Sequence, residues 1–340
     1  MRILAVTNMY PTERSPGRGV FVREQVKGLE ATGLEVRVLF LDRLREGPSI
    51  YYHMESRLTS LLQEFAPHLV HVMYGGVMAR QVLRHHHCRP TVVTFHGSDL
   101  LGENLSGWKR RLISRYGVWC SRAAARAAEG IVVVARHLLR KLPRAVYRKA
   151  RVLPCGIDFE RFQPADQRLC QARLGWASDR FHVLFASSNG DPVKRPWLAK
   201  AAVAELMKRG VPAELHCLAG VPNGEVPHWL NAADVLLLTS RHEGSPTVVK
   251  EALACELPVV SVDVGDVAER LEGIPGCYLA EADAVDLADK LTLVRQRSSR
   301  LDCRAQLQSL SVLSVGRQLQ GLYQQLLVEA PRAGCRAVAA

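Results

Sequence analysis

The sequence predicts an α/β protein built from two doubly wound, parallel sheets. Three observations predict it. Short apolar runs alternate with amphipathic helical stretches along most of the chain, the pattern of strands covered by helices on both faces. The alternation pauses once, at Pro154-Cys155-Gly156-Ile157-Asp158, and then restarts. The length of 340 residues suits two domains at roughly 100–200 residues each.

In the first half the expected strands are Ile3–Thr7, Val36–Leu41, Leu69–Met73, Thr91–Phe95, Gly130–Val134 and Arg151–Leu153, with amphipathic helices such as Phe21–Ala31 and Lys109–Ala128 between them. A polar stretch runs to about Asp179. The second half then offers strands at Val183–Ser187, Glu214–Leu218, Val235–Leu238, Val259–Val262 and Cys277–Leu279, and helices at Pro196–Arg209 and Pro246–Ala254. The boundary is expected near 155–175. One long helical stretch, Cys303–Val328, is expected to pack back across it, and residues after Ala330 read as a frayed tail. The expected domains are therefore 1–160, 161–310 and a C-terminal segment 311–340.

Hydrophobic residues make up 48% of the chain, enough for a core in each half, and charged residues 23%. No apolar run approaches the roughly 18 residues that span a bilayer. The N-terminal run Ile3–Thr7 is too short for the core of a signal peptide, so a cytoplasmic protein is expected. Nine cysteines are scattered singly without a CxxC pair, which argues against a disulfide framework and a zinc site. The run His85-His86-His87 sits on an expected helix, where adjacent side chains fan apart and chelate poorly.

Formal net charge is +12. Most of it lies between Leu101 and Cys155, where thirteen Lys and Arg face two acids, Glu103 and Glu129. Such a patch suits nucleic acid or an anionic membrane surface. No nucleic-acid-binding motif accompanies it, so the membrane surface is the expected partner. Within this segment Trp108, Leu112, Ile113, Tyr116 and Trp119 recur at three- or four-residue spacing. That stripe either packs into the core or stays exposed beside the basic residues.

In open α/β sheets, ligands bind beyond the carboxyl ends of the strands, and two facing sheets place a site in the cleft between them. The motif Thr239-Ser240-Arg241-His242-Glu243-Gly244-Ser245-Pro246-Thr247-Val248-Val249-Lys250-Glu251 follows an expected strand. Ser245 suits a helix N-cap and Pro246 the first helical position. The free amides of that turn favour an anion or sugar hydroxyls, and Glu243 and Glu251 can accept hydrogen bonds from paired hydroxyls. Ordinary solvated acids at a capped helix are the alternative.

This constellation resembles the family-4 retaining glycosyltransferases of the GT-B fold, two Rossmann-like domains facing a central cleft. The resemblance rests on two glutamates with seven residues between them, preceded by Asn231-Ala232-Ala233-Asp234-Val235-Leu236-Leu237-Leu238 and followed by Leu257-Pro258-Val259-Val260 and Asp263-Val264-Gly265-Asp266-Val267. It is closest to bacterial surface-polysaccharide members of the teichuronic-acid type. It implies transfer of a sugar from a nucleoside-diphosphate sugar to a hydroxyl of a glycan or lipid-linked acceptor, with retention and without a metal or other cofactor; no Asp-x-Asp motif is present. By resemblance, Glu251 binds the donor ribose and Glu243 the donor sugar, with the amides of Gly244, Ser245, Thr247 and Val248 and the turn at Pro246 nearby. Gly19 in Gly17-Arg18-Gly19-Val20-Phe21 abuts the diphosphate and acceptor. His96 in Thr94-Phe95-His96-Gly97-Ser98-Asp99 matches the active-site histidine, and Asp99 its frequent acidic neighbour. Lys194 in Asp191-Pro192-Val193-Lys194-Arg195-Pro196 matches the phosphate-binding lysine, suited to a departing diphosphate.

Two positions depart from the family pattern. Ser188-Asn189-Gly190-Asp191 stands where many relatives carry an arginine, which leaves Arg195 as the candidate substitute charge. Cys155 stands where an asparagine is common. Two other functions remain open at this level: a nucleotide-sugar epimerase of the same fold, and a non-catalytic nucleotide-sugar-binding protein. A dehydrogenase is disfavoured because no GxGxxG follows Val6-Thr7.

Overall fold

The computed structural model describes residues 1–85, 89–102, 107–186, 191–297 and 299–329. His86, His87, the Ser188-Asn189-Gly190 departure and the tail after Ala330 lie outside the described residues. The chain divides into one unit formed by Met1–Gly156 with the helix Val312–Glu329, and a second formed by Ile157–Ser311.

In the first unit β1 (Arg2–Thr7), β2 (Glu35–Phe40), β3 (Leu69–Val72), β4 (Thr91–Phe95), β5 (Gly130–Val133) and β6 (Ala150–Val152) pair in parallel in the order β2-β1-β3-β4-β5-β6. Their apolar runs are continuous because both faces are covered. Alternate residues feed two cores. Leu4, Val6, Val70, Val72, Val93 and Ile131 pack towards the helices Met54–Glu64, Gly76–His85 and Trp108–Ala127. Ile3, Ala5, Leu69, Val92 and Val132 pack towards the helices Val20–Ala31 and Val312–Glu329. These last two helices cross at Gly28 and Gly316, where a Cβ on Gly28 would sit 2.5 Å from the Val312 carbonyl oxygen. Tyr323 seals the contact, its hydroxyl 2.6 Å from His71 Nδ1, while His71 Nε2 meets Thr94 Oγ1 at 2.7 Å. Burial lowers the His71 pKa to about 3, so it is neutral in the folded state.

In the second unit β7 (Phe181–Phe185), β8 (Ala213–Cys217), β9 (Val235–Leu238), β10 (Val259–Val262) and β11 (Tyr278–Ala280) form a parallel sheet in the order β11-β10-β9-β7-β8. Phe181, Val183, Phe185, Leu237 and Val260 face the helices Pro196–Lys208 and Ala284–Arg295. Leu184, Leu236 and Leu238 face the opposite way, with Leu230, Val249 and Leu253 from the helices Val226–Ala232 and Thr247–Ala254.

Two sequence expectations need correction. The stretch Cys303–Val328 is not one helix. Residues Arg304–Leu310 form a 3-10 helix, Ser311 is extended and bridges to Ile157, and the α-helix runs Val312–Glu329. The apolar periodicity carries through because the two pieces serve different cores: Leu307 and Leu310 pack in the second unit, Leu319 and Tyr323 in the first. Ser245 does not cap the helix after β9. That helix starts at Thr247 with Pro246 as its N-cap residue and no side-chain cap.

The aromatic stripe is exposed. The helix Trp108–Ala127 buries Cys120, Ser121, Ala124 and Ala125, while Trp108 is 68% exposed, Ile113 63%, and Leu112, Tyr116 and Trp119 are exposed as well. Arg110, Arg111 and Arg115 are exposed on the same stretch. Lys149 serves the fold instead, donating to the carbonyls of Arg126 and Ala128 at the end of this helix. No helix among the described residues is long and apolar enough to cross a membrane. The seven cysteines among the described residues are free thiols.

Candidate functional site

In each unit the singled-out residues collect where the strand order reverses, beyond the carboxyl ends of the strands. In the first unit that point lies between β1 and β3. Gly19 ends the loop after β1 and precedes the helix Val20–Ala31 with φ +69°. A Cβ there would lie 2.3 Å from the Met9 backbone carbonyl carbon, so only glycine lets the two loop backbones approach this closely. Phe21, two residues on, reaches the loop after β4, where its ring centroid lies 4.5 Å from that of His96. Tyr74, after β3, stacks on the same imidazole at 5.9 Å. Cys155, the departure from the usual asparagine, places Sγ 3.7 Å from His96 Nδ1. His96 is therefore held by residues from three separate segments.

Asp99 does not present its carboxylate as a donor ligand. The side chain is buried, and its oxygens accept from the backbone amides of His96, Gly97 and Gly75, at 2.9 Å for the last two. Its own carbonyl accepts from Ser121 Oγ at 2.6 Å, and Ser121 Oγ accepts from the Gly76 amide. Burial raises the Asp99 pKa, and the three amides oppose that by stabilising the anion. Asp99 is a positioning residue that folds the His96 loop against the β3 loop.

In the second unit the reversal lies between β7 and β9. The turn Asp191–Arg195 after β7 is stapled to the loop after β9. Thr239 Oγ1 donates to the Lys194 carbonyl at 2.7 Å, and the Arg241 amide to the Val193 carbonyl at 2.8 Å. This brings Lys194 Nζ to 2.5 Å from Glu243 Oε1, with both side chains mostly buried. An ammonium and a carboxylate thus meet where a diphosphate and a sugar are expected. Arg195 is placed differently. Its backbone is left-handed, φ +51°, and its guanidinium donates to the carbonyls of Thr239 and Ser240. Burial, and then the nearby Arg241, lowers its pKa. Those bonds tie Arg195 to the end of β9 instead of leaving it as a loose phosphate ligand.

The backbone from Gly244 to Val248 leads into the helix Thr247–Ala254, whose first-turn amides and dipole form a positive end. Glu251 follows on that helix and is half-buried. Sequence reasoning missed what anchors this turn. Lys250 is 1% exposed, and its ammonium donates to Ser245 Oγ at 3.1 Å. Ser245 Oγ donates in turn to Asp266 Oδ2 at 2.8 Å, and Arg270 Nε lies 3.1 Å from the same oxygen. The signal was legible: Lys250 shares the inward face of its helix with Leu253 and Ala254, and a lysine in that phase needs a buried partner.

Two family models match the chain: one described as Glycosyltransferase Family 4 over residues 17–161, the other as Glycosyl transferases group 1 over residues 169–296. A protein named as a teichuronic acid biosynthesis glycosyltransferase, TuaC of Bacillus subtilis, is 27% identical, covering 86% of this chain and 88% of its own. A D-inositol 3-phosphate glycosyltransferase of Frankia alni is 29% identical over 43% of this chain and 44% of its own. Among solved structures, a sucrose-phosphate synthase from Thermosynechococcus elongatus superposes with TM-score 0.74 at 16% identity, covering 97% of this chain and 100% of that one. Anabaena HepE in complex with UDP and glucose gives TM-score 0.69 at 15% identity, covering 96% and 100%. These similarities establish the shared two-sheet architecture of GT-B glycosyltransferases.

Proposed function

The chain belongs to glycosyltransferase family 4 and is a hexosyltransferase-type enzyme, and from that premise we propose that it moves a hexose from a nucleoside-diphosphate sugar to a glycan or lipid-linked hydroxyl, with retention. The observation that carries the proposal is the contact of Lys194 with Glu243 at 2.5 Å, with Glu251 on the helix that follows. The bond from the anomeric carbon to the diphosphate oxygen breaks, and its electron pair leaves with the diphosphate. Lys194 and the first-turn amides stabilise that charge. The acceptor oxygen bonds the anomeric carbon on the same face, and its proton passes to a donor phosphate oxygen. Glu251 holds the ribose and Glu243 the sugar, and the transfer proceeds without a divalent metal. Because HepE is described with UDP and with UDP-glucose, a uridine donor is the first to test.

The test is thermal stabilisation by UDP, GDP and ADP, which rises as RT ln(1 + [L]/Kd) for the nucleotide that binds. One base should stand out, turnover should persist in EDTA, and the product should keep the donor's anomeric configuration by NMR. No stabilisation by any nucleotide would overturn the proposal.

The two glutamates should separate in their effects. Glu251→Ala should weaken nucleotide binding about tenfold or more, because a charged hydrogen bond contributes roughly 1.5–3 kcal/mol. Glu243→Gln should leave nucleotide affinity unchanged or tighter, because it frees Lys194 from a competing carboxylate, and should lower turnover instead. Equal loss of nucleotide affinity in both variants would contradict these assignments.

The exposed stripe Trp108–Trp119 with its flanking arginines supports reversible docking on the cytoplasmic leaflet, within reach of a lipid-linked acceptor.

A further inference from the structure

The structure assigns a second site to the second unit: a divalent-cation site of the zinc class formed by His182, Glu214 and His216. In the register of β7 and β8, His182 stands opposite Glu214, and His216 follows two residues on. Strand alternation sends all three side chains from one face of the sheet. Their ligand atoms lie within 4.8 Å of one another, and among the described residues this is the group of His, Cys, Asp and Glu side chains so gathered.

The tautomer of His182 is set from behind. Its Nε2 lies 2.8 Å from the Ala177 carbonyl oxygen, which only accepts, so Nε2 carries the proton and Nδ1 a lone pair. A carbonyl behind the ligating ring is the usual second support of a metal-bound histidine. His182 Nδ1 lies 2.9 Å from His216 Nε2. Two imidazole nitrogens at about 2.0–2.1 Å from one tetrahedral zinc are about 3.3 Å apart, so a shift of a few tenths of an ångström admits the ion. Without the ion His216 Nε2–H donates to His182 Nδ1; with the ion bound His216 carries its proton on Nδ1, and both facing nitrogens present lone pairs to it. The Trp176 ring lies flat on His216, centroids 3.5 Å apart and planes 8° apart, and Trp229 stands edge-on to Trp176. That wall keeps the His216 ring in the facing orientation. His216 and Glu214 are half-buried, which leaves a path for the ion.

Two neutral imidazoles and one carboxylate suit a borderline ion such as Zn²⁺ and leave a fourth position for water. The ion would clip the edge strand β8 to β7, the strand that delivers the Lys194 turn. It lies on the face of the sheet, away from the transferring groups at the strand ends, so it is distinct from the metal-independent chemistry proposed above.

The experiment uses the full, untagged chain after EDTA treatment and removal of the chelator. Titration calorimetry with Zn²⁺ alone should give one saturable site. Glu214→Gln and His216→Gln should each weaken it about tenfold or more, with wild-type far-ultraviolet circular dichroism as the check that each variant is folded. Ni²⁺ should quench the fluorescence of Trp176 and Trp229, whose rings lie 3.5 and 6.4 Å from that of His216, and Trp176→Phe should reduce that quenching. No saturable Zn²⁺ binding by the wild type, or wild-type affinity in either folded variant, would overturn the site. Nucleotide stabilisation is read separately, so its failure would bear on the transferase proposal alone.

Discussion

Lys194→Ala should weaken binding of the nucleoside diphosphate by roughly 10- to 100-fold and leave the free nucleoside's affinity unchanged. The size follows from one charged hydrogen bond, about 1.5–3 kcal/mol. Turnover should fall further, by about 10²–10³, because charge grows on the diphosphate as it departs and a preorganised cation is worth most there. The lysine is preorganised. Its carbonyl accepts from Thr239 Oγ1, the turn before it is closed by the Asp191 side chain accepting from the Val193 amide, and its ammonium already sits against Glu243. Lys194→Arg should recover part of the affinity. Calorimetry with nucleoside and nucleoside diphosphate side by side makes the comparison. Matching losses for both ligands would mean that the substitution disturbed the fold of the turn. No loss for either would remove Lys194 from the site.

Reversing Arg110, Arg111 and Arg115 to Glu should abolish sedimentation with anionic liposomes while nucleotide stabilisation stays at the wild-type level. Each basic residue near an anionic surface contributes about 1 kcal/mol, screened within a Debye length. Exchanging three positive for three negative charges therefore removes several times that amount. All three side chains are exposed, so the helix should keep its buried face of Cys120, Ser121, Ala124 and Ala125. The wild type should bind anionic vesicles steeply less as salt rises and ignore neutral ones. The exposed Trp108 and Ile113 should add a salt-resistant part through burial of apolar area. Wild-type protein left in the supernatant with anionic vesicles at low salt would end the docking proposal.

The positions of Lys194, Glu243 and Gly19 just beyond strand ends were legible because strands were legible from apolar runs, and the structure shows what each one touches. Asp99 and Arg195 were legible as charged residues in the right loops, but not as residues spent on backbone amides and carbonyls. No local pattern says whether a carboxylate faces outward or folds its own loop, because that depends on where the β3 loop brings the Gly75 amide. Lys250 and Asp266 show the same limit: 16 residues apart, they are linked through the Ser245 hydroxyl. The histidines on the neighbouring strands β7 and β8 were invisible for a further reason. Metal-like spacing is sought along the chain, whereas His182 and His216 become neighbours only through strand register.

By itself the sequence determined the α/β class, the parallel strands and the order of elements, since these follow from hydrophobic period and local turn chemistry over windows of about ten residues. It also determined the basic character of the helix Trp108–Ala127. Tertiary structure alone decided that the aromatic stripe on that helix lies exposed, because a period of three to four residues marks a face without saying what covers it. It decided that the stretch from Cys303 breaks at Ser311, because two cores in two units draw on one continuous apolar pattern. It decided, too, which charges are paired in the interior. Burying a charge is costly unless a partner arrives from elsewhere in the chain, and partners such as Lys194 and Glu243, 49 residues apart, are chosen by packing.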